Sequence, residues 1–246
     1  MPGTPTTHDS GGRIPPGLPD VLEEARARGL VGTTPLAEQV AHSLGFADAF
    51  EAQAGAAGTP VPDRPGERPE ATAPPARWMD LGSGGGLPGL VLAGRWPSST
   101  AVLLDAGERR VDFLVGAVAD LGLQDRVTVV RARAEDAGRD PELRGGFDLV
   151  VARAFGPPPV TAECAAPFLR TGALLVVSEP PGDGPPGAGD GATGSPRWPE
   201  DGLAVLGLVP VGVFRTRFGY QVLRQARPCP DRFPRRPGIP AKRPLY

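Results

Sequence analysis

From Arg77 onward the chain alternates short apolar runs with amphipathic stretches, and nothing else in it narrows the possible folds so far. Strands that alternate with helices lie parallel and need cover on both faces, so the pattern specifies a parallel sheet wound with crossover helices. The runs predict strands at 77–81, 100–105, 127–131, 147–151 and 173–178, with helices at 87–95, 108–121 and 160–169. In the second of these helices Val111, Leu114, Val115, Val118 and Leu121 fall on one face. Residues 203–214 and 218–224 read as two more strands joined by Arg215-Thr216-Arg217, an antiparallel hairpin at the sheet edge. Two helices, at 18–29 and 35–52, precede the sheet. Thr34 suits the N-cap of the second, Pro35 its first position and Glu38 its first turn.

Glycine (35) and proline (32) divide the chain, because more than half of them fall in residues 1–20, 55–75, 180–199 and 228–244. Segments of that composition bury too little apolar surface to offset their ordering entropy. The expected organisation is a disordered leader at 1–17, a helical element at 18–53 and a linker at 54–76. An α/β domain then spans 77–227, with a flexible low-complexity loop at 180–200, and a basic, proline-rich tail runs from 228 to 246.

A formal charge of −2 excludes a globally basic nucleic-acid binder, so any RNA surface must be a local patch. One exists at the C-terminus, where Arg224, Arg227, Arg232, Arg235, Arg236, Lys242 and Arg243 face a single acid, Asp231. Prolines spaced through it favour an extended tail anchored by Phe233 and Leu245. The two cysteines, Cys164 and Cys229, form no CxxC or Cys/His cluster, so neither a structural zinc nor a disulfide scaffold is expected, and no metal. Pro228-Cys229-Pro230 lies far from the fourth strand, where a cysteine nucleophile would be needed. Apolar runs such as 173–177 fall far short of the roughly 20 residues of a membrane span, and the start has neither the charged nor the apolar region of a signal peptide. A cytoplasmic monomer is expected.

The sharpest motif is Asp80-Leu81-Gly82-Ser83-Gly84-Gly85-Gly86-Leu87-Pro88-Gly89, between the first strand and the first crossover helix. Its glycines admit positive φ and let a ligand approach the backbone, and the helix start offers free N–H groups. Asp105 ends the next strand, where an acid accepts hydrogen bonds from both ribose hydroxyls of a nucleotide-like cofactor. Dinucleotide dehydrogenases share that geometry. The carboxylate of Asp80 decides against NAD, since it repels a pyrophosphate but suits the ammonium of a methionine moiety; S-adenosylmethionine is the expected cofactor. The third strand ends in Arg133-Ala134-Glu135-Asp136, where the adenine edge would lie. Beyond the fourth strand, Arg153 and Phe155 point into the crevice at the strand ends, the arginine toward a phosphate or base edge and the ring toward a stacked base.

The segments DLGSGGGLPG, LLDAGERRVDFL, RARAED, FDLVVARAF and FPRRPGIPAKRPL resemble, in order and spacing, the glucose-inhibited division protein B family, over about residues 77–246. His42-Ser43-Leu44 resembles that family's His/Asp-Ser-Leu helix. The resemblance implies a Rossmann-like class I methyltransferase that uses S-adenosylmethionine on a guanine N7 of 16S rRNA, with the RNA or the small ribosomal subunit as partner. Carried over by position, Asp80, Gly82, Ser83, Gly84, Gly86 and Leu87 form the cofactor loop and Asp105 binds the ribose. Ala134 and Glu135 flank the adenine, Arg153 and Phe155 serve cofactor and catalysis, and Arg110, Arg235, Arg236, Lys242 and Arg243 meet RNA. The family's lysine-glycine after the fifth strand is replaced by Ser178-Glu179-Pro180, so Glu179→Lys is expected to restore a phosphate contact. The alternatives are a methyltransferase of another RNA or a small molecule, and a paralogue that binds cofactor or RNA without turnover.

Overall fold

The computed structural model describes residues 14–56, 73–180 and 196–246. Most of the expected leader and much of the expected linker and low-complexity loop lie outside those residues. Helices α1 (Leu18–Ala27) and α2 (Leu36–Ala56) precede the sheet. Strands β1 (Arg77–Leu81), β2 (Thr100–Asp105), β3 (Val127–Arg131), β4 (Phe147–Ala152) and β5 (Leu169–Glu179) run parallel. Their crossovers are α3 (Gly89–Arg95), α4 (Glu108–Asp120), α5 (Ala134–Ala137) and α6 (Pro158–Ala165), the last followed by a 3-10 turn. After α7 (Glu200–Ala204), strands β6 (Leu208–Arg215) and β7 (Gly219–Gln225) close the sheet antiparallel, and α8 (Ile239–Lys242) lies in the tail. The strand order is β3-β2-β1-β4-β5-β7-β6, with β7 inserted between β5 and the edge strand β6. The fold is the Rossmann-like α/β architecture with an antiparallel edge hairpin.

Strand side chains alternate between two faces, and the core divides accordingly. Trp78, Leu103, Leu149, Val151, Val176 and Val222 face α1 to α4, whereas Met79, Val102, Leu104, Val150, Leu175 and Leu223 face α5, α6 and the tail. Strand order reverses between β1 and β4, and the crevice that this reversal opens at the carboxyl ends is where open α/β sheets bind ligands. The helical element belongs to this architecture: α1 buries Leu18, Val21, Leu22 and Ala25 on one stripe, and α2 packs on α3, β5 and β7.

Three sequence expectations need correction. Val115 is 54% exposed, and α4 buries Phe113 and Ala117 in its place, so its apolar stripe is rotated from the expected one. The strand expected from residue 203 starts at Leu208, because Glu200–Ala204 forms a helical turn that sinks Leu203 into the core. The tail is not simply extended. Cys229 and Phe233 are buried in the second core cluster, Leu245 and Tyr246 pack against it, and α8 forms with proline in its first turn, where a missing N–H costs nothing.

The tail is also clamped. Arg144 donates from Nη1 to the carbonyls of Gly138 and Phe233 (both 2.8 Å) and from Nη2 to those of Cys229 (2.8 Å) and Pro230 (3.1 Å). Fully buried Glu163 on α6 accepts from the Arg235 backbone N–H (2.8 Å), Nε (2.8 Å) and Nη2 (2.6 Å).

Candidate active site

The Gly-rich turn is built by strand ends. The N–H groups of Gly82 and Ser83 both donate to the Leu104 carbonyl (2.9 and 3.0 Å), which folds the turn over the end of β2. Gly82 has φ +78°, and a Cβ there would lie 2.7 Å from the ring of Phe155. A Cβ on Gly85 would meet Val31 Cγ1 at 2.6 Å and the Leu30 carbonyl at 2.8 Å. The loop is therefore pressed between the segment after β4 on one side and the α1–α2 connection on the other.

Asp80 lies under the loop, fully buried. Its Oδ2 accepts from Ser83 Oγ (2.7 Å) and the Gly89 N–H (2.8 Å), tying both ends of the turn to β1, while Oδ1 is buried with no hydrogen-bond partner. It is not among the residues that line the cavity above, so the expected direct contact with an ammonium is not what its position provides. Burial pushes its carboxyl up to about 6, against the pull of Ser83, Gly89 and Arg153. A carboxyl whose pKa is raised on folding takes up protons in the native state, so its contribution to stability is greatest below pH 4 and is lost as pH rises toward 6. Asp80→Asn should thus flatten the pH dependence. Between pH 4 and 7 the wild type should lose about 2 kcal/mol relative to the variant in urea titrations.

Asp105 joins two loops. Its Oδ2 accepts from the Gly84 N–H (2.9 Å), and its Oδ1 from the Gly107 N–H (2.8 Å) and Arg110 Nε (2.7 Å). Three of about four acceptor sites are taken, and Arg110, whose side chain is 48% exposed, is the partner that can leave. Arg110 thereby belongs to the cavity rim rather than to a free RNA surface.

Above these residues is a cavity of about 490 Å³, within the usual range for small-molecule sites. Gly82, Ser83, Gly84, Leu87, Asp105, Ala134, Arg153 and Phe155 all line it, as the sequence predicts for the site. Gly86 and Glu135 do not. Glu135 is turned toward the tail, where its carboxylate accepts from the Gly238 N–H at 2.9 Å. Arg235 is also reassigned, because its guanidinium is committed to buried Glu163 instead of RNA. Arg236, Lys242 and Arg243 remain exposed. Glu179 supports the fold: it accepts from Trp198 Nε1 (2.8 Å) and pairs with Arg197, so a lysine there would break a structural contact before it met RNA.

The sequence reading missed the other wall. Leu30, Val31, Gly32 and Gln39 of the helical element line the same cavity. Gln39, nearly fully buried, donates from Nε2 to the carbonyls of Gly32 and Thr34 (both 2.9 Å) and accepts at Oε1 from Arg153 Nη2 (3.3 Å). One signal was available: Gln39 and Ser43, four residues apart, sit on the helix face that buries Phe46 and Phe50. Arg153 is desolvated and keeps a buried Nη1 with no partner. Cys229 supplies no nucleophile, since burial pushes its thiol up to about 11.

Residues 70–178 match the family model described as GidB, rRNA small subunit methyltransferase G. A ribosomal RNA small subunit methyltransferase G from Moorella thermoacetica is 37% identical over 179 residues, covering 70% of this chain and 70% of that protein. The chain belongs to the rRNA small subunit methyltransferase G family. A Prochlorococcus marinus member is 39% identical over 181 residues, covering 70% of this chain and 68% of its own length. Among solved structures, a cofactor-bound protein from MTB shares the fold with a TM-score of 0.54, at 21% identity over 86% of this chain and 90% of that one. As a family member the chain is a methyltransferase, and its methyl donor is S-adenosylmethionine.

The cavity fits that donor on its own evidence. Gly82 and Gly84 carry positive φ, and any side chain at Gly82 would collide with a cavity wall. Arg153, which lines the cavity, keeps a buried Nη1 with no hydrogen-bond partner among the described residues, and it matches the carboxylate of the donor's amino-acid end.

Proposed function

We propose that this chain methylates N7 of a guanine in 16S rRNA, acting in the cytoplasm on the RNA or the small ribosomal subunit. The observation that carries the reading is the chemistry of the cavity wall. Its ionisable residues are Asp105, Arg110 and Arg153, and the one carboxylate is already held by Gly84, Gly107 and Arg110. Among the described residues no histidine, lysine or cysteine lines it, so the wall around the donor offers no free general base. A nucleophile that carries its lone pair without losing a proton, as guanine N7 does, suits such a wall.

Bound S-adenosylmethionine supplies a methyl group on a sulfonium leaving group. An N7 lone pair could take that methyl group, the C–S pair staying with sulfur, with no proton for the protein to remove. The protein's part is placement. The Asp80-supported loop fixes one end of the cavity, Asp105 accepts from the ribose once Arg110 withdraws, and Phe155 beside Gly82 closes the wall. In-line positioning of this kind can supply on the order of 7–11 kcal/mol. Exposed Arg236, Lys242 and Arg243 would add phosphate contacts.

The test is transfer of radiolabelled methyl to ribosomal RNA followed by nucleoside mapping. Label in 7-methylguanosine of 16S rRNA supports the reading; label in another base, another RNA or nowhere rejects it. Asp105→Asn should weaken S-adenosylmethionine binding about 10- to 150-fold by calorimetry, through lost charge-assisted hydrogen bonds worth roughly 1.5–3 kcal/mol. Unchanged affinity would remove Asp105 from the ribose site.

A further inference from the structure

We infer that a second, smaller cavity beside the first receives the flipped-out guanine, and that Glu38 reads its Watson–Crick edge. The cavity has a volume of about 190 Å³, room for a single heterocycle. Gln39 and Arg153 line both cavities, so an occupant of one lies next to an occupant of the other. That adjacency is what a base needs when its N7 must meet a methyl group held next door.

The lining suits a neutral base rich in donors. Glu38 and Glu179 line it together with Arg153 and Arg217, so acceptors and donors balance and no net charge favours an anion. Guanine presents N1–H and N2–H₂ side by side, and a carboxylate accepts such a pair with both oxygens; adenine offers a lone pair at N1 and is repelled. Glu179 is committed to Trp198 and Arg197. Glu38, in the first turn of α2, is held by Arg217, at 2.9 Å, whose side chain is 68% exposed and can swing to solvent or to a flanking phosphate. The wall also carries rings: His42 and Phe218 are stacked on each other, centroids 4.5 Å apart, so the pair offers a base one outer face to stack on. Burial, assisted by Arg153, pushes His42 down to about 4, so its ring is neutral and adds no positive charge. Enzymes that act on an extruded base commonly stack it on aromatic or apolar side chains while polar groups read its Watson–Crick edge. Methylation at N7 leaves the base cationic, and Glu38, once Arg217 swings away, stabilises the charge that develops.

This inference rests on guanine N7 being the acceptor, and its test separates the two. After the labelled nucleotide is mapped, RNAs carrying guanine or inosine at that position are compared as substrates. Inosine keeps N7 and N1–H but lacks the 2-amino group. The wild type should lose about 10- to 100-fold in kcat/KM on inosine, the scale expected when a site built to bond a group finds it missing. Glu38→Gln should lose a comparable factor on guanine and discriminate between the two RNAs by less than about threefold, with S-adenosylmethionine affinity by calorimetry within about twofold of wild type. Equal wild-type rates on the two RNAs, or a Glu38→Gln enzyme with undiminished kcat/KM and discrimination, would overturn the base site while leaving the N7 reading intact. Absence of wild-type label at any guanine N7 would overturn that reading and the base site with it.

Discussion

Gly82→Val is expected to raise the dissociation constant for S-adenosylmethionine by about 100-fold, or about 3 kcal/mol, while thermal unfolding stays cooperative. Two costs combine. Gly82 has φ +78°, where a β-branched residue carries strain of order 1–3 kcal/mol, and its Cβ would stand 2.7 Å from the Phe155 ring. The strain relaxes if the turn reshapes, and the clash relaxes if Phe155 moves into the cavity it now lines. Either escape spoils the site. Isothermal titration reads the affinity, and a variant that bound like wild type would show that the turn is not the cofactor cradle.

The second large effect concerns stability. Arg235→Ala should destabilise the protein by about 3 kcal/mol, because Glu163 is fully buried and loses the guanidinium that neutralises it. The Arg235 backbone N–H still donates to Glu163 in the variant, which limits the loss. Arg235→Lys should recover only part, since an ammonium cannot reproduce the two-pronged contact. Urea midpoints measure this directly. Undiminished stability with weakened RNA binding would return Arg235 to the RNA surface that the sequence suggested.

Much of this was legible in advance, for reasons that differ by element. β1 and β2 follow from buried parallel strands, which read as largely apolar runs, and the half-exposed edge strand β3 follows from its β-branched residues Val127, Thr128, Val129 and Val130. The Gly-rich turn is equally plain because positive φ leaves a mark in composition. The fate of a polar side chain is different. Asp80, Glu135 and Arg235 stand out in the sequence, but their partners are Ser83 and Gly89, Gly238 and Glu163, and only folding reveals which partner arrives first. Leu30, Val31 and Gly32 were missed because they carry no chemistry of their own and reach the cavity through packing across the chain. Val115 misled because a valine at the right spacing is only a candidate for the core.

The cavity is also framed like a truss. α3 leaves the Gly-rich turn, α2 begins beside it with Gln39, and the far ends of the two helices are pinned together where Glu51 meets Arg95 (2.7 Å) and Trp96 Nε1 (3.2 Å). From Gln39 to Glu51 the strut is roughly 18 Å long. With both ends fixed, the gap between the two walls is set by the lengths of rigid rods and not by the loops that touch the ligand. A loosened far pin would let the near end swing as a lever, and the site would widen without the loss of any residue that lines it.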